Sequence, residues 1–270
     1  FKDPLDLSLE GLYITGKDLD KAKEKYKKFI HKVEKGRILI REKDKFELLT
    51  EMVRDGILPF TPESIPDDFR VDGRCEFQLK PFQKRDYEIF LRWGNIGIFY
   101  PPGVGKTFYG IWALTHLKGP HIVAVPSITL VEQWSERIAL YTDLKLNEDV
   151  IVTTYQTALK KHGNKEFSLM IVDEVHHLPA NEFGKLNFMK RKFTIGLSAT
   201  PAREDGREDL IFALTWKAAG LSWDEFKKLG TIQNPPCHAW IVGNMTDKLK
   251  KLAVLLQEKK KTIIFCDGIE

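Results

Sequence analysis

From residue 77 onward, short apolar runs recur between stretches of helical periodicity, and this alternation restricts the fold more than any other feature of the chain. The runs fall at 96–100, 122–125, 150–153, 169–172 and 193–197, and the clearest helical patterns at 106–117 and 128–141. A strand that is apolar on both faces must be covered on both faces. The arrangement that does this is a parallel sheet with helices on either side, and such sheets bind ligands at the carboxyl ends of their strands. The spacing therefore predicts an α/β domain over 75–230 with its site at one rim.

The residues before it predict a small mixed α+β domain over 1–74. Ala22, Tyr26, Phe29, Ile30 and Val33 recur at helical spacing, with Asp18 placed to cap a helix over 18–36 and Gly36 placed to end it. Lys21, Lys23, Lys25, Lys27, Lys28, Lys32 and Lys35 occupy its other faces and suit either phosphate contacts or a solvated surface. Pro59, Pro62 and Pro66 mark an extended connector and a domain boundary, because each removes a donor and restricts the residue before it. Beyond the sheet, Ser222 and Glu225 have capping-box spacing for a short helix that Gly230 closes. Asn234-Pro235-Pro236 then breaks the chain, leaving 231–270 as a linker, a helix over 246–260 and a strand over 262–266 that opens another α/β unit. There is no internal repeat.

With 43% apolar and 30% charged residues in 270, the composition excludes collagen-like, mucin-like and wholly disordered chains. No apolar run approaches the roughly 20 residues of a membrane-spanning helix, and the charge-broken N-terminus is unlike a signal peptide. Cys75, Cys237 and Cys266 are scattered, suggesting neither a disulfide framework nor a zinc cluster and favouring an intracellular compartment, cytoplasmic or nuclear. The net charge of +4 is compatible with a polyanion partner without arguing for one. The opening at Phe1 and the stop after a strand-like run are expected of a piece of a longer polypeptide.

Chemistry is written most clearly at Pro102-Gly103-Val104-Gly105-Lys106-Thr107, between an expected strand and an expected helix. A glycine turn there presents backbone N–H groups and a helix N-terminus to a polyphosphate. Lys106 would reach the β- and γ-phosphates and the Thr107 hydroxyl would bind Mg²⁺. Tyr100 occupies the place of the first glycine of the full phosphate-loop pattern, so a plain glycine turn is the competing reading. At 169–172 an apolar strand runs into Asp173 and Glu174. Asp173 at the strand tip suits the metal and Glu174 the attacking water, against the alternative of a helix N-cap. Adjacent His176 and His177, with no cysteine nearby, do not read as zinc ligands. A third strand end carries Ser198-Ala199-Thr200, whose hydroxyls could bond His176 or the acidic pair.

In this order the segments resemble the superfamily 2 helicases, over roughly 77–215 and the terminal strand. Leu79-Lys80-Pro81-Phe82-Gln83 resembles the element that precedes the phosphate loop, implying adenine recognition by Gln83. Lys106 and Thr107 match motif I, and Ser198, Ala199 and Thr200 match motif III. Asp173, Glu174, Val175 and His176 match the DExH box, which implies catalytic roles for Lys106, Asp173, Glu174 and His176. Pro126 and Ser127, followed by Leu130, Gln133 and Trp134, are similar to motif Ia, and Thr153-Thr154-Tyr155-Gln156 to a segment that lies along nucleic acid. Arg203-Glu204-Asp205 narrows the resemblance to the xeroderma pigmentosum group B type, in its archaeal form, and implies help in separating strands; a charged loop is the plainer reading. The resemblance implies a RecA-like first motor domain, ATP and Mg²⁺ as ligands and single-stranded or forked DNA as partner.

Two departures qualify it. The family's thumb-like insertion is short or missing between Asp205 and Thr262, and of the second motor domain only the strand at 262–266 is expected. Without that domain's arginines, worth about 10³ to 10⁵ in turnover in related hydrolases, the chain is expected to bind ATP but hydrolyse it poorly. Two further functions stay open. One is a DNA-binding module with a nucleotide-dependent switch serving a nuclease or transcription factor; the other is a small-molecule kinase, which would leave Gln83 and Ser198-Ala199-Thr200 unexplained.

Overall fold

A computed structural model describes residues 5–57, 63–178, 180–187, 189–203, 205–230 and 245–256. Residues 1–232 form one compact unit and 233–270 another. The first opens with β1 (Leu7–Glu10), β2 (Tyr13–Gly16), α1 (Leu19–Lys25), β3 (Ile30–Glu34), β4 (Arg37–Ile40) and α2 (Lys45–Arg54). The four strands make an antiparallel sheet in the order β1-β2-β4-β3, with Ile14, Tyr26, Phe29, Ile38, Leu48 and Met52 in its core.

The helix expected over 18–36 is cut short here. It ends at Lys25, passes through a 3-10 turn at Lys27–Phe29, and its second half becomes β3. Ile30 and Val33 are β-branched and suit a strand. Gly36, at φ +80°, forms with Lys35 the two-residue connection that pairs Glu34 with Arg37. Asp18 does not cap α1, since its carboxylate accepts from the Asp6 N–H at 2.9 Å and from Lys21 at 2.8 Å. The lysines are mostly matched locally. Lys21 pairs with Asp18, Lys23 with Asp20, Lys25 with Asp55, Lys28 with Glu51 and Lys32 with Glu34, which favours the solvated-face reading.

The rest of the unit alternates. It comprises α3 (Pro81–Trp93), β5 (Asn95–Phe99), α4 (Lys106–Thr115), β6 (His121–Val125), α5 (Ile128–Tyr141), β7 (Val150–Thr154) and α6 (Tyr155–His162). There follow β8 (Phe167–Val172), α7 (Ala180–Asn187), β9 (Arg191–Ser198), α8 (Asp209–Thr215), β10 (Lys217–Gly220) and α9 (Trp223–Lys228). All six strands are parallel, in the order β10-β5-β9-β8-β6-β7. The five apolar runs are β5 to β9; the four central strands β5, β9, β8 and β6 are buried on both sides almost throughout, as their composition requires, while β7 lies at the edge and is only partly buried. The sixth strand, Lys-Ala-Ala-Gly, has no strand signature; in the sheet it pairs with β5, and Arg85 of α3 donates to its Gly220 carbonyl at 3.1 Å.

One face of the sheet packs Ile98, Ile171 and Leu197 against Tyr109, Trp134 and Ile138; the other packs Ile122, Met170 and Val172 with Leu210 and Ile211. The second layer also takes in Phe46 and Leu49 of α2, while Leu48 and Met52 of the same helix serve the N-terminal core. Arg54 pairs with Asp209 at 2.9 Å where α2 meets α8. Each fully buried aliphatic side chain of this kind contributes about 1.5–3 kcal/mol.

Ser222 and Glu225 close the expected capping box on α9, and Gly230 follows at φ +64°. In the second unit α10 spans Met245–Leu256. Asn234-Pro235-Pro236 and the strand expected over 262–266 lie outside the described residues. Among the described residues no helix is long and apolar enough to cross a membrane.

His121, at the start of β6, is 1% exposed; its Nε2 lies 3.1 Å from the Leu117 carbonyl and its Nδ1 has no partner. Burial pushes its imidazole down to about 4 from an ordinary 6.5. Its contribution is fully present above about pH 6.5 and drains away as the pH falls toward 4, because the unfolded chain takes up a proton that the folded chain refuses. Urea unfolding should show roughly 2 kcal/mol of this loss between pH 7 and pH 5. His121→Gln should remove it, and an unchanged difference between the two pH values would contradict the burial of a neutral imidazole.

Candidate active site

The parallel register brings the ends of three strands to one rim, those of β5 and β9 level and that of β8 two residues short. Phe99 of β5 stands beside Ser198 of β9, and Val172 of β8 beside Gly196 of β9. The segments that follow β5, β8 and β9, which carry Lys106, Asp173-Glu174 and Ser198-Ala199-Thr200, therefore emerge side by side at the carboxyl rim.

After β5 the chain turns through Gly103 at φ +79° and Gly105 at φ +112°, backbone that side chains beyond glycine rarely adopt, and enters α4 at Lys106. A Cβ on Gly105 would meet Gln83 Nε2 at 3.1 Å. Gln83 is 3% exposed and braces this loop. Its Nε2 donates to the Gly105 carbonyl at 3.1 Å and its Oε1 accepts from the Lys80 N–H at 2.9 Å, so both ends of the carboxamide proposed for adenine are committed within the chain. Val104 is buried beneath the loop. Tyr100 is tolerated in place of a glycine because its ring points into the core. There its hydroxyl donates to the buried Asp86 at 2.9 Å, and Asp86 also accepts from Arg85 at 2.6 Å. Nothing local in the sequence signals Asp86 as the partner of Tyr100.

Lys106 Nζ lies 3.8 Å from Glu174 Oε1 and donates to the Tyr100 carbonyl at 3.4 Å. Glu174 sits at φ +47°, a left-handed turn that separates its direction from that of Asp173. Asp173 is 4% exposed. Its Oδ2 accepts from the Trp134 indole N–H at 2.7 Å and its Oδ1 from the Glu174 N–H at 3.0 Å. Burial raises the Asp173 carboxyl above its ordinary value, against the pull of the indole hydrogen bond. Tyr155 donates to the carbonyls of Asp173 and Glu174, at 3.2 Å for the second, and so fixes the turn from the next element. His176 Nδ1 lies 2.8 Å from Ser198 Oγ and 3.5 Å from Glu174 Oε2, bringing the DExH and Ser-Ala-Thr segments into contact.

The other expected site residues divide. Pro126 and Ser127 leave β6 where Thr154 ends β7, on the same rim, because Val125 and Thr154 are in register. Ser127 caps α5 by accepting from Leu130 at 3.3 Å, and Thr154 caps α6 by accepting from Thr157 at 3.4 Å. Ala199 and Thr200 are half-buried; the Thr200 N–H donates to Ser198 Oγ at 3.2 Å. Arg203 points inward, its side chain only 7% exposed. Its guanidinium donates to the carbonyls of His176 and Leu178, each at 2.9 Å, and to both oxygens of Asp205 at 2.8 and 2.6 Å. Those bonds hold the Asp205 carboxyl at about 2. Glu204 lies outside the described residues.

A divalent cation suits this donor set. Asp173 is a buried carboxylate whose oxygens receive only neutral N–H groups, so a nearby cation would relieve the cost of its charge. Among the described residues no cluster of three or more His, Cys, Asp or Glu side chains could hold a metal by itself.

Residues 76–203 match the family described as the type III restriction enzyme, res subunit. The Rad25 protein of Halobacterium salinarum is 33% identical over a stretch that covers 58% of this chain and 29% of that protein. The DNA 3'-5' translocase XPB2 of Sulfurisphaera tokodaii is 33% identical, covering 50% of this chain and 34% of its own. In structure, the UvsW helicase of bacteriophage T4 aligns over 80% of this chain with a TM-score of 0.54 at 13% identity, a likeness of fold. Over these stretches the chain is similar to the Rad25 and XPB2 proteins, and its sheet has the fold of the UvsW helicase. It spans about a third of the length of these curated relatives.

Arg203→Met should leave the His176 and Leu178 carbonyls without their partner and destabilise this rim by about 1–3 kcal/mol. Hydrogen exchange should quicken at 175–178, and protection equal to the unsubstituted chain would show that the guanidinium does not hold this loop.

Proposed function

We propose that the chain carries the ATP-binding motor lobe of a DNA helicase or translocase of repair or transcription. The observation that supports this most is the approach of Lys106 to Glu174, with Asp173 behind them, on the rim where Pro126, Ser127 and Thr154 also emerge. In this reading the N–H groups of 103–107 and Lys106 bind the phosphates of ATP. Thr107 and Asp173 hold Mg²⁺, which supplies neutralisation of phosphate charge. Glu174 orients the attacking water, and the His176–Ser198 contact links its turn to the Ser-Ala-Thr segment. Single-stranded or forked DNA lies along Pro126, Ser127 and Thr154, with a repair or transcription factor as the wider partner. Arg203 and Asp205 act on this motor by holding the DExH loop.

The rival reading of a nucleic-acid module with a nucleotide switch leans on the lysines of the first helix, and most of those are paired with neighbouring carboxylates. A metabolite kinase leaves the Pro126–Ser127 and Thr154 segments at the rim without a use.

Equilibrium binding of a fluorescent ATP analogue tests the reading directly. Lys106→Ala should weaken binding by tenfold or more, since a lost charge-assisted hydrogen bond is worth about 1.5–3 kcal/mol. Glu174→Gln should bind ATP normally and release it slowly. In the complete polypeptide, DNA should stimulate hydrolysis; normal turnover in both variants would end the proposal.

A further inference from the structure

Helix α5 reaches the site twice, at positions one turn apart. Trp134 donates to Asp173 Oδ2 at 2.7 Å, and Arg137, three residues later on the same face, donates to Thr107 Oγ1 at 3.1 Å. These are the two side chains assigned above to the metal, and one helix holds both. The helix is well anchored. Trp134 is fully buried and lies so close to α4 that a Cβ on Gly110 would come within 2.6 Å of its ring. Its N–H is a donor only, and in this buried position it is satisfied by Asp173. At the other end of α5, Ser127 caps the helix and Ile128 is 71% exposed beside the rim segment proposed to meet DNA.

The two tethers respond differently to a cation. Asp173 has lone pairs to spare while it accepts from Trp134, so that bond is compatible with metal binding. The Arg137 guanidinium is itself a cation, placed on the hydroxyl that a metal would use, and like charges at this range repel. We infer that Arg137 is a placeholder for the metal at Thr107 and that its displacement on binding of metal and nucleotide, with Trp134 as the fixed point, makes α5 the lever between the nucleotide site and the Pro126–Ser127 end. Both are positioning residues, and the inference rests on the nucleotide-site reading above. The ten residue steps from the Ser127 cap to Arg137 span about 15 Å, enough to carry a tilt from one end to the other. By linkage, a ligand that favours the displaced position at Ser127 raises affinity for metal and nucleotide, and the reverse holds equally.

The test measures binding and not turnover. The chain is titrated with a fluorescent ATP analogue at a series of Mg²⁺ concentrations and in excess chelator, with and without single-stranded DNA. Arg137→Met should lower the Mg²⁺ needed for half-saturation at least fivefold and shrink the effect of DNA on nucleotide affinity. Trp134→Phe should raise the Mg²⁺ requirement by a similar factor while leaving affinity in chelator unchanged; a coupling of this size lies within the usual range. A purely structural role predicts no such opposite pair. If Arg137→Met leaves the Mg²⁺ requirement unchanged in a chain that binds nucleotide, the placeholder is overturned, whatever Trp134→Phe does. If instead Lys106→Ala binds nucleotide as tightly as the unsubstituted chain, it is the nucleotide site itself that fails.

Discussion

Everything at the candidate site depends on the register among β5, β9 and β8. Because all three run in one direction and end within two residues of one another, three segments far apart in sequence become neighbours without any long loop reaching across. A parallel sheet obtains this only if both faces are covered, so the helices that bury Ile98, Ile171 and Leu197 on one side and Met170 and Val172 on the other are what keep the rim in place. Packing and site geometry are here one requirement.

On that rim the polar groups are held by second partners from other elements. Gln83 of α3 fixes the glycine turn before α4, Tyr155 of α6 fixes the turn after Asp173, Trp134 and Arg137 of α5 hold Asp173 and Thr107, and Arg203 fixes the stretch that begins at His176. A buried polar group is costly unless bonded, so each of these contacts also discourages alternative arrangements of its loop. The site is preorganised in the sense that its side chains are oriented by bonds already made within the chain.

How much of this could be read beforehand follows from the range of each interaction. The four central strands were legible because burial on both faces demands an uninterrupted apolar run, and β7 at the edge kept enough of that pattern to be read with them. The strands of the N-terminal sheet are short and bury only some of their residues, and β3 shares apolar positions with a helical pattern, so 18–36 reads as one helix until the Lys35-Gly36 turn and its partner strand are seen. Lys106, Thr107, Asp173 and Glu174 could be singled out as candidates because a glycine turn before a helix and a carboxylate pair after a strand are local signals. Asp86 under Tyr100, Arg137 on Thr107 and the inward turn of Arg203 were not, since each depends on a partner more than ten residues away.

The sequence by itself determined the alternation of strand and helix, the glycine turn at 103–105 and the acidic pair at a strand end, because backbone conformation and burial pattern are properties of neighbouring residues. Only the tertiary structure decided which strand lies beside which, that Arg203 faces the DExH loop and not solvent, and that one helix holds both Asp173 and Thr107. Those outcomes are set by contacts between segments that meet only after the sheet has formed, and no local pattern of side chains encodes them.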